Sequence, residues 1–513
     1  MKAKLIFSLP IVALLLLLGG CSDKDDDTPK NTQSDTEYIN TWMYNKMKSL
    51  YLWNDKLPAS PDYTKSPKDF YQSILYNYGM TTGDRFSTIE EDETKSTKTL
   101  FGGGNLGFDY LPYSYFPDVN TTSSLIGLLV ISVDKGTDAE AKGLKRGQII
   151  YGVNGANVTY ENYLTILDKS SLTLSVYNKS GEKETLPVIQ ASAVESSPIF
   201  MSKVISTSGK KIGYLMYNAF DRNANDEENN YEYDIKLIES IADLKAQGVT
   251  EFVLDLRYNL GGYLTSAMDL ASALVPNRNI KNIFAIEEYN DHFQDSIVTR
   301  YGADALNEYF LDKVYGTSVE IPKLNLSRLY VITGNYTASA SELVINGLKP
   351  YMTIYQIGET TVGKDKASMP VQEKNNSRIP WILHPIISRL TNADGGGNYI
   401  NGIEPDSEIF EMFEGYEMVS AVYRDDDGKE IRQYLPVLSP WKGGLGELGD
   451  PSEPLLAEAI AHITGVPRTK SVKSITPLDN KVRQVPYIKQ NRDRYRMIID
   501  QNKFDNLTNA KQK

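Results

Sequence analysis

Residues 337–341, with the sequence TASAS, place three hydroxyl groups among small residues shortly after the apolar run RLYVIT at 328–333. The apolar run predicts a buried strand, and the residues that follow predict a helix. Small side chains at the start of a helix leave its backbone N–H groups accessible, and these groups favour a developing negative charge. The pattern therefore indicates a place where a hydroxyl group could attack a substrate carbonyl.

Such a hydroxyl needs a base, and the chain has few candidates. None of its three histidines, His292, His384 and His462, lies in a small-residue turn or beside an aspartate in a recognisable motif. A Ser-His-Asp triad is therefore the weaker interpretation. A lysine can serve instead where burial keeps its amine neutral, and Lys364 stands out because it directly follows a predicted strand in IGETTVGKDKASMP.

Both stretches belong to a region in which predicted strands and helices alternate, and this pattern predicts βαβ units around a parallel sheet. In such sheets, sites form at the carboxyl ends of the strands, where each strand passes into a helix. The stretches that carry the prediction are KIGYLMYNAF, DIKLIESIADLKAQG, EFVLDLRYN, GGYLTSAMDLASALVP, RLYVITG, the helix from Ala338, and TIYQIGE.

Three motifs, LDLRYNLGG at 254–262, TASASELV at 337–344 and GETTVGK at 358–364, resemble those of the C-terminal processing, or tail-specific, serine peptidases. The resemblance covers roughly residues 80–465 and implies an α/β fold with a ClpP/crotonase-like catalytic core. Carried over by position, it implies Ser339 as nucleophile and Lys364 as general base. It also implies an oxyanion hole made by the backbone N–H of Ala340 and of Gly261 or Gly262.

The sequence departs from the family at the residues that would orient the lysine. Ser368 stands where the family often has glutamine, and Pro350 stands where some members have aspartate. Ser368 is therefore a candidate third catalytic partner. The GETTVGK motif also begins like a phosphate-binding loop, but Asp365 follows the lysine where such a loop needs serine or threonine. We expect no cofactor and no metal.

The residues before the core resemble a PDZ domain, with strands LLVISV and QIIYGVNG flanking the short helix DAEAKGL. Asn105, Leu106, Gly107 and Phe108 resemble its carboxylate-binding loop, with asparagine at the first glycine position. In that mode a peptide with a free C-terminus adds as a strand beside the loop. The alternative interpretation is an ordinary tight turn.

The first residues resemble the signal of a bacterial lipoprotein. Two lysines precede a short apolar run and the sequence LGGC, which implies cleavage before Cys21 and acylation of its thiol. Cys21 is the only cysteine, so a cysteine nucleophile is excluded after acylation. We expect the protein to be anchored to a membrane of the bacterial cell envelope. This membrane is expected to be the outer membrane, with the protein facing the periplasm or the cell surface. The alternative is an ordinary secreted protein.

The expected organisation has six parts. They are a signal peptide at 1–20, a flexible tether at 21–35, a small helical domain at 36–100, the PDZ-like β-rich domain at 101–195, the catalytic core at 196–465 and a basic C-terminal tail at 466–513. The net charge of −12 argues against a nucleic-acid partner. The tail holds 12 lysines and arginines against 4 aspartates, and we expect it to be solvated or to form a helix on an acidic face.

Together these features predict an envelope serine endopeptidase with a Ser-Lys dyad, acting on proteins or peptides that the PDZ-like domain selects by their free C-termini. One alternative is a catalytically inactive, peptide-binding lipoprotein of the same fold. Another is a Ser-His hydrolase in which His384 would be the base.

Overall fold

The computed structural model describes residues 34–91, 106–117, 123–178, 180–191, 197–224, 227–411, 417–424, 428–437, 445–467, 483–484 and 496–499. Cys21, the signal peptide and Asn105 lie outside these ranges, so the predictions made for them remain predictions. Within the described ranges, no helix combines the length and the apolar character needed to span a bilayer.

The N-terminal region is helical, and its first helix begins where the Ser-x-x-Glu pattern of residues 34–37 predicts. The Ser34 hydroxyl accepts from the Glu37 N–H, and the Glu37 carboxylate accepts from the Ser34 N–H, both at 3.2 Å. Met43 and Met47 on the inner face of this helix are fully buried. The elements are α1 (Asp35–Leu50), α2 (Pro67–Ile74) and strand β1 (Thr88–Glu91).

A β-rich region follows, and its main sheet is antiparallel with the strand order β2-β3-β4-β7-β8. Strand β2 lies at one edge of this sheet. The elements are β2 (Phe108–Tyr115), β3 (Leu125–Val133), α3 (Asp138–Ala141), β4 (Ile149–Val153), β5 (Ala156–Asn157), β6 (Ser171–Leu172), β7 (Leu174–Tyr177), β8 (Lys183–Thr185) and β9 (Ile189–Gln190).

The remaining elements form the core region. They are β10 (Ile199–Thr207), β11 (Lys210–Tyr217), α4 (Glu232–Ala246), β12 (Glu251–Asp255), β13 (Gly261–Tyr263), α5 (Leu264–Leu274), β14 (Ile283–Tyr289), α6 (Asp291–Tyr301), β15 (Asn307–Tyr309), β16 (Arg328–Thr333), α7 (Ala340–Leu348), β17 (Thr353–Gly358), β18 (Lys366–Ser368), β19 (Trp381–His384), β20 (Ile386–Thr391), β21 (Ser407–Glu408), β22 (Glu417–Arg424), β23 (Glu430–Val437), α8 (Pro454–Thr464), β24 (Arg483–Gln484) and β25 (Arg496–Ile498).

The central sheet has the order β10-β11-β12-β16-β17-β21, and every pair from β11 onward is parallel. The predicted βαβ units are confirmed. Residues of α4, α5 and α7 share one buried apolar cluster with alternate side chains of the strands, such as Leu254. The neighbouring side chains, such as Val253, point to the other face and pack with the β-rich region and α8. The sheet is thus buried on both faces.

A second sheet, with the order β13-β25-β18-β20-β14-β15, packs against α7 through β13, β14 and β20. Strand β25 comes from the tail and lies between β13 and β18. Met497 and Ile499 are fully buried there. For residues 496–499, the expectation of a solvated or helical tail is therefore wrong, because their apolar side chains complete a sheet.

Candidate active site

Ser339 lies in the turn between β16 and α7, in a backbone conformation that is unusual for any residue other than glycine. Its φ is +63°, and such strain persists only where surrounding contacts hold it. Those contacts come from the loop after β12. The Ala338 N–H donates to the Asn259 carbonyl at 3.1 Å, and the Ser341 hydroxyl donates to the same oxygen at 3.2 Å. The serine is thereby fixed at the N-terminus of a buried helix.

The Ser339 hydroxyl is buried, and its oxygen has no hydrogen-bond partner among the described residues. A buried hydroxyl without a partner has lost its hydration without compensation. The next residue, Ala340, is the first of α7, so its N–H lies outside the hydrogen-bond ladder of the helix. The turn therefore combines an unengaged hydroxyl group with a helix N-terminus.

Lys364 lies in the loop between β17 and β18 and is fully buried. Its Nζ lies 5.3 Å from the centre of the Phe86 ring. Phe86 in turn belongs to a small apolar cluster with Ala338, the residue before the serine, and Ile386. The lysine amine is thus held against apolar groups that also border the Ser339 turn.

Residues 83–88, with the sequence GDRFST, and the loop around residue 400 hold the lysine loop in place. The Arg85 guanidinium donates to the carbonyls of Gly363 and Ile400, each at 2.8 Å. Gly363 has φ +87°, and a Cβ built on it would lie 2.4 Å from the Ile400 carbonyl oxygen. Only glycine fits between these backbones.

Glu342 connects the two predicted catalytic residues. Its Oε2 accepts from the N–H groups of Ser339 and Lys364, both at 2.8 Å. Its Oε1 accepts from the Gly363 N–H at 2.7 Å and from the Thr361 hydroxyl. Burial raises the pKa of Glu342, while these four hydrogen bonds act in the opposite direction. One carboxylate therefore holds the backbone of the serine turn against the backbone of the lysine loop.

The two glycines expected at the oxyanion hole have different surroundings. The Gly261 N–H donates to the Asn259 side-chain oxygen at 2.8 Å, so it is already engaged. Gly262 has φ +145°, and a Cβ built on it would lie 2.2 Å from the Phe220 carbonyl oxygen. Of the two, Gly262 is the one whose N–H can serve with that of Ala340.

Ser368, the candidate third partner, lies in β18 and is almost fully buried. Its hydroxyl donates to the Met497 carbonyl of β25 at 3.3 Å. In this structure the hydroxyl thus contacts the tail strand, and a role in orienting Lys364 stays a prediction.

The three histidines lie elsewhere. His384 contacts Glu90 at 2.9 Å, His462 contacts the Tyr355 hydroxyl at 2.7 Å, and His292 is exposed on α6. None is hydrogen-bonded to the Ser339 hydroxyl, which has no partner among the described residues. The Ser-His alternative therefore has no support in the geometry.

Leu106, Gly107 and Phe108 lead into edge strand β2, where the resemblance places the peptide-binding loop. Gly107 has φ +75°, and Leu106 and Phe108 are buried. No described strand pairs with the outer edge of β2. The β22–β23 hairpin packs beside the end of β2, where Phe116 clusters with Ala421 and Leu435, and peptide binding at this loop stays a prediction.

Asp255 and Arg257, in the LDLRYNLGG motif, form a buried charge network. Arg257 contacts Asp255 at 2.7 Å and Glu453 at 2.9 Å, and it also contacts Glu411. The free-energy cost of burying the three carboxyl groups is offset by their contacts with this guanidinium. The network anchors the loop that leads to Gly261.

Sequence reasoning missed four residues that position the site. Arg85, Phe86, Asn259 and Glu342 are these residues. Asn259 lies inside a motif whose glycines, and not its asparagine, carry the expected role in the oxyanion hole. The signal for Glu342 was its place three residues after the serine, which is the capping-box spacing.

Comparisons with known proteins agree with this geometry. The model of peptidase family S41 matches residues 211–409, and that of the peptidase S41 N-terminal domain matches residues 38–88. A carboxyl-terminal-processing protease of Picosynechococcus is 27% identical over 319 residues, which are 59% of this chain and 66% of the relative. The chloroplastic carboxyl-terminal-processing peptidase 1 of Arabidopsis thaliana is 21% identical over 384 residues, 73% of this chain and 68% of the relative.

Among solved structures, a Bacteroides fragilis protein assigned to the S41 proteases superimposes with a TM-score of 0.62 at 28% identity. The superposition covers 83% of this chain and 98% of that one. The expected mixed α/β fold is thereby confirmed as the fold of that group, and the small N-terminal helical region is consistent with it.

Proposed function

Since this chain belongs to peptidase family S41, a family of serine-type peptidases that act on proteins, we propose that it is a serine endopeptidase with a Ser339–Lys364 dyad. One observation carries the assignment. Glu342 binds the N–H groups of both residues with a single oxygen, and the serine hydroxyl beside it is buried without a partner.

The chemistry follows from the surroundings of each group. Burial in general disfavours the charged form of an amine, and in the proposed mechanism the neutral amine of the buried Lys364 accepts the Ser339 proton as the oxygen attacks the substrate carbonyl carbon. The N–H groups of Gly262 and Ala340 stabilise the oxyanion. Lys364 then gives its proton to the departing amine, and water hydrolyses the acyl-enzyme.

Substrates are selected by their free C-termini in the β-rich region at 101–195. Edge strand β2 and the loop before it offer a place for strand addition. This region also contacts the core near the site, because the Arg146 guanidinium donates to the Tyr258 hydroxyl at 2.8 Å. Tyr258 precedes Asn259, whose carbonyl holds the serine turn. We therefore expect peptide binding in the β-rich region to change the position of that turn. Amidating the C-terminus of a substrate should slow cleavage sharply, and equal rates would contradict this selection.

The protein acts in the bacterial cell envelope, attached to a membrane through a lipid on Cys21. The LGGC sequence and the polar, acidic stretch that follows it support this location. Replacing Cys21 by serine should move the protein from the membrane fraction to the soluble fraction.

The dyad is tested with a fluorophosphonate probe, which labels activated serines. Wild type should be labelled, and Ser339→Ala and Lys364→Ala should not. Ser388→Ala is the matched control, because Ser388 is also fully buried with an unpartnered hydroxyl but lies in β20. It should be labelled like wild type. Equal labelling of Ser339→Ala would refute the assignment of the nucleophile.

The alternative is an inactive peptide-binding protein of the same fold. It predicts that purified protein binds C-terminal peptides but cleaves none of them, and that Lys364→Ala keeps the biological effect. Comparing the envelope proteins that accumulate with wild type and with Ser339→Ala separates the two functions.

A further inference from the structure

A strand from the tail fills a slot beside the candidate active site. Strand β25 pairs in parallel with β13, placing Arg496 opposite Gly261, Met497 opposite Gly262 and Ile498 opposite Tyr263. On its other side, Ile498 is opposite Ser368 of β18. The slot therefore lies between the strand of the oxyanion glycines and the strand that follows Lys364.

The backbone of β13 shows which groups point into the slot. The Tyr263 N–H donates to the Phe220 carbonyl at 2.7 Å, and the Gly261 carbonyl accepts from the Phe220 N–H at 2.9 Å. Because N–H and C=O groups alternate in direction along a strand, the Gly262 N–H points the opposite way, into the slot. The parallel register directs it at the carbonyl of Arg496, the residue before its partner.

The tail strand is held through its backbone and through buried side chains. The Ile499 N–H donates to the Ser368 carbonyl at 3.0 Å, and the Met497 carbonyl accepts from the Ser368 hydroxyl at 3.3 Å. Met497 and Ile499 are fully buried and join the main apolar cluster of the core. The register therefore predicts that the Arg496 carbonyl lies at the proposed oxyanion donor, while two apolar side chains, two residues apart, occupy buried positions.

We propose that this slot is the binding site for the substrate strand, and that residues 496–499 occupy it as a pseudosubstrate that closes the enzyme. The inference rests on the proposed function and specifies it further. Substrates bind as an extended strand parallel to β13, with apolar side chains at two alternate positions like Met497 and Ile499. A substrate must displace the tail strand before it reaches Ser339.

Binding to the slot is measured without catalysis. In the Ser339→Ala background, Met497→Asp places a charge at a fully buried position and should release the tail strand. A fluorescein-labelled peptide with the sequence of residues 493–500, DRYRMIID, should then bind saturably by fluorescence polarisation. Ser339→Ala alone should not bind it, because its slot is occupied. The same peptide with aspartate in place of methionine is the control and should not bind the double variant.

Reactivity is measured on the full chain with the fluorophosphonate probe. If the closed form dominates, the apparent rate is limited by the open fraction, so Met497→Asp should label about tenfold faster than wild type or more. Adding unlabelled DRYRMIID peptide should restore slow labelling. If urea unfolding shows that Met497→Asp is not folded, the double variant Met497→Ala/Ile499→Ala is used instead. Its labelling should also be faster than that of wild type, by a smaller factor.

The results distinguish this inference from the proposed function. Normal labelling of Ser339 that is not accelerated by release of the strand, together with no peptide binding, would show that β25 is a fixed wall of the core, and the pseudosubstrate would be refuted. Absence of labelling at Ser339 in every variant, with saturable peptide binding retained, would instead refute the catalytic dyad and leave the slot in place.

Discussion

Two fully buried carboxylate sites in the core region differ in what surrounds them. Glu342 accepts four hydrogen bonds, and they come from the serine turn and the lysine loop. Asp234 on α4 and Asp269 on α5 form the second site. Neither oxygen of Asp234, and only one oxygen of Asp269, has a partner among the described residues.

The protonation of the second site reflects this lack of donors. Burial raises the pKa of Asp234 to about 7, although the nearby Ser266 hydroxyl and Arg222 guanidinium offset part of the effect. Burial, and then the proximity of Asp234, raises the pKa of Asp269. These two carboxyl groups meet the cost of burial by keeping protons.

The difference shows what a buried carboxylate can do in this fold. Both sites lose hydration, but at Glu342 the loss is offset by donors whose positions matter for chemistry. The Glu342 carboxylate thereby fixes the backbone of Ser339 relative to the backbone of Lys364. The Asp234–Asp269 pair fixes no reactive group, so its effect should be confined to stability.

The largest effect is expected for Glu342→Gln, which has nearly the same shape as glutamate. The glutamine amide group would face backbone N–H donors, leaving buried donors unsatisfied at about 1–3 kcal/mol each. Displacement of the serine turn should lower fluorophosphonate labelling of Ser339 on the order of 100-fold.

Asp234→Asn is the matched control for that variant, because it makes the same chemical change at an equally buried carboxyl group. Its labelling should equal that of wild type. If Asp234→Asn lost as much labelling as Glu342→Gln, the contrast between the two sites would fail, and the effect would be one of general stability.

A second, smaller effect concerns stability against pH. Since the folded-state pKa of Asp234 lies above its ordinary value of 3.8, the unfolded chain releases this proton first as pH rises. The free energy of unfolding should therefore fall between about pH 4 and pH 7, by up to about 1.4 kcal/mol per pH unit for one proton. Above pH 7 this contribution is constant.

Urea unfolding of wild type and Asp234→Asn across this range measures the contribution. The difference in unfolding free energy between the two proteins should change in favour of Asp234→Asn from pH 4 to pH 7. A difference that does not depend on pH would show that Asp234 is ionised in the folded protein throughout.

The sequence predicted the central sheet well, because its strands and helices are encoded locally. Apolar stretches such as RLYVIT and the helix that starts at Leu264 each become one buried element. The capping box at Ser34 set the start of α1 within one residue. The predicted pairing of strands through βαβ units followed from this alternation.

The site was less predictable, because its supporting contacts join distant parts of the chain. Phe86 contacts Lys364, although the whole β-rich region separates the two residues in the sequence. The carboxylate of Glu342 accepts hydrogen bonds from a loop about twenty residues further along the chain. Strand β25 was the least predictable element from the sequence. A short apolar stretch in a basic tail carries no signal that it will pair with β13 and β18.

The smallest of the effects on reactivity is expected for Thr361→Val, which keeps the shape of the side chain but removes one of the four donors to Glu342. Of these donors, the Thr361 hydroxyl contributes most to lowering the pKa of Glu342, so its loss should raise that pKa further. A hydrogen bond to a charged group stabilises by about 1.5–3 kcal/mol, and the three remaining donors should retain the turn. Labelling of Ser339 should fall by roughly tenfold, less than in Glu342→Gln.

Thr333→Val is the control, because its buried hydroxyl donates to the Glu359 carbonyl instead. Equal losses in the two threonine variants would mean that the number of donors at Glu342 does not set the reactivity of the serine.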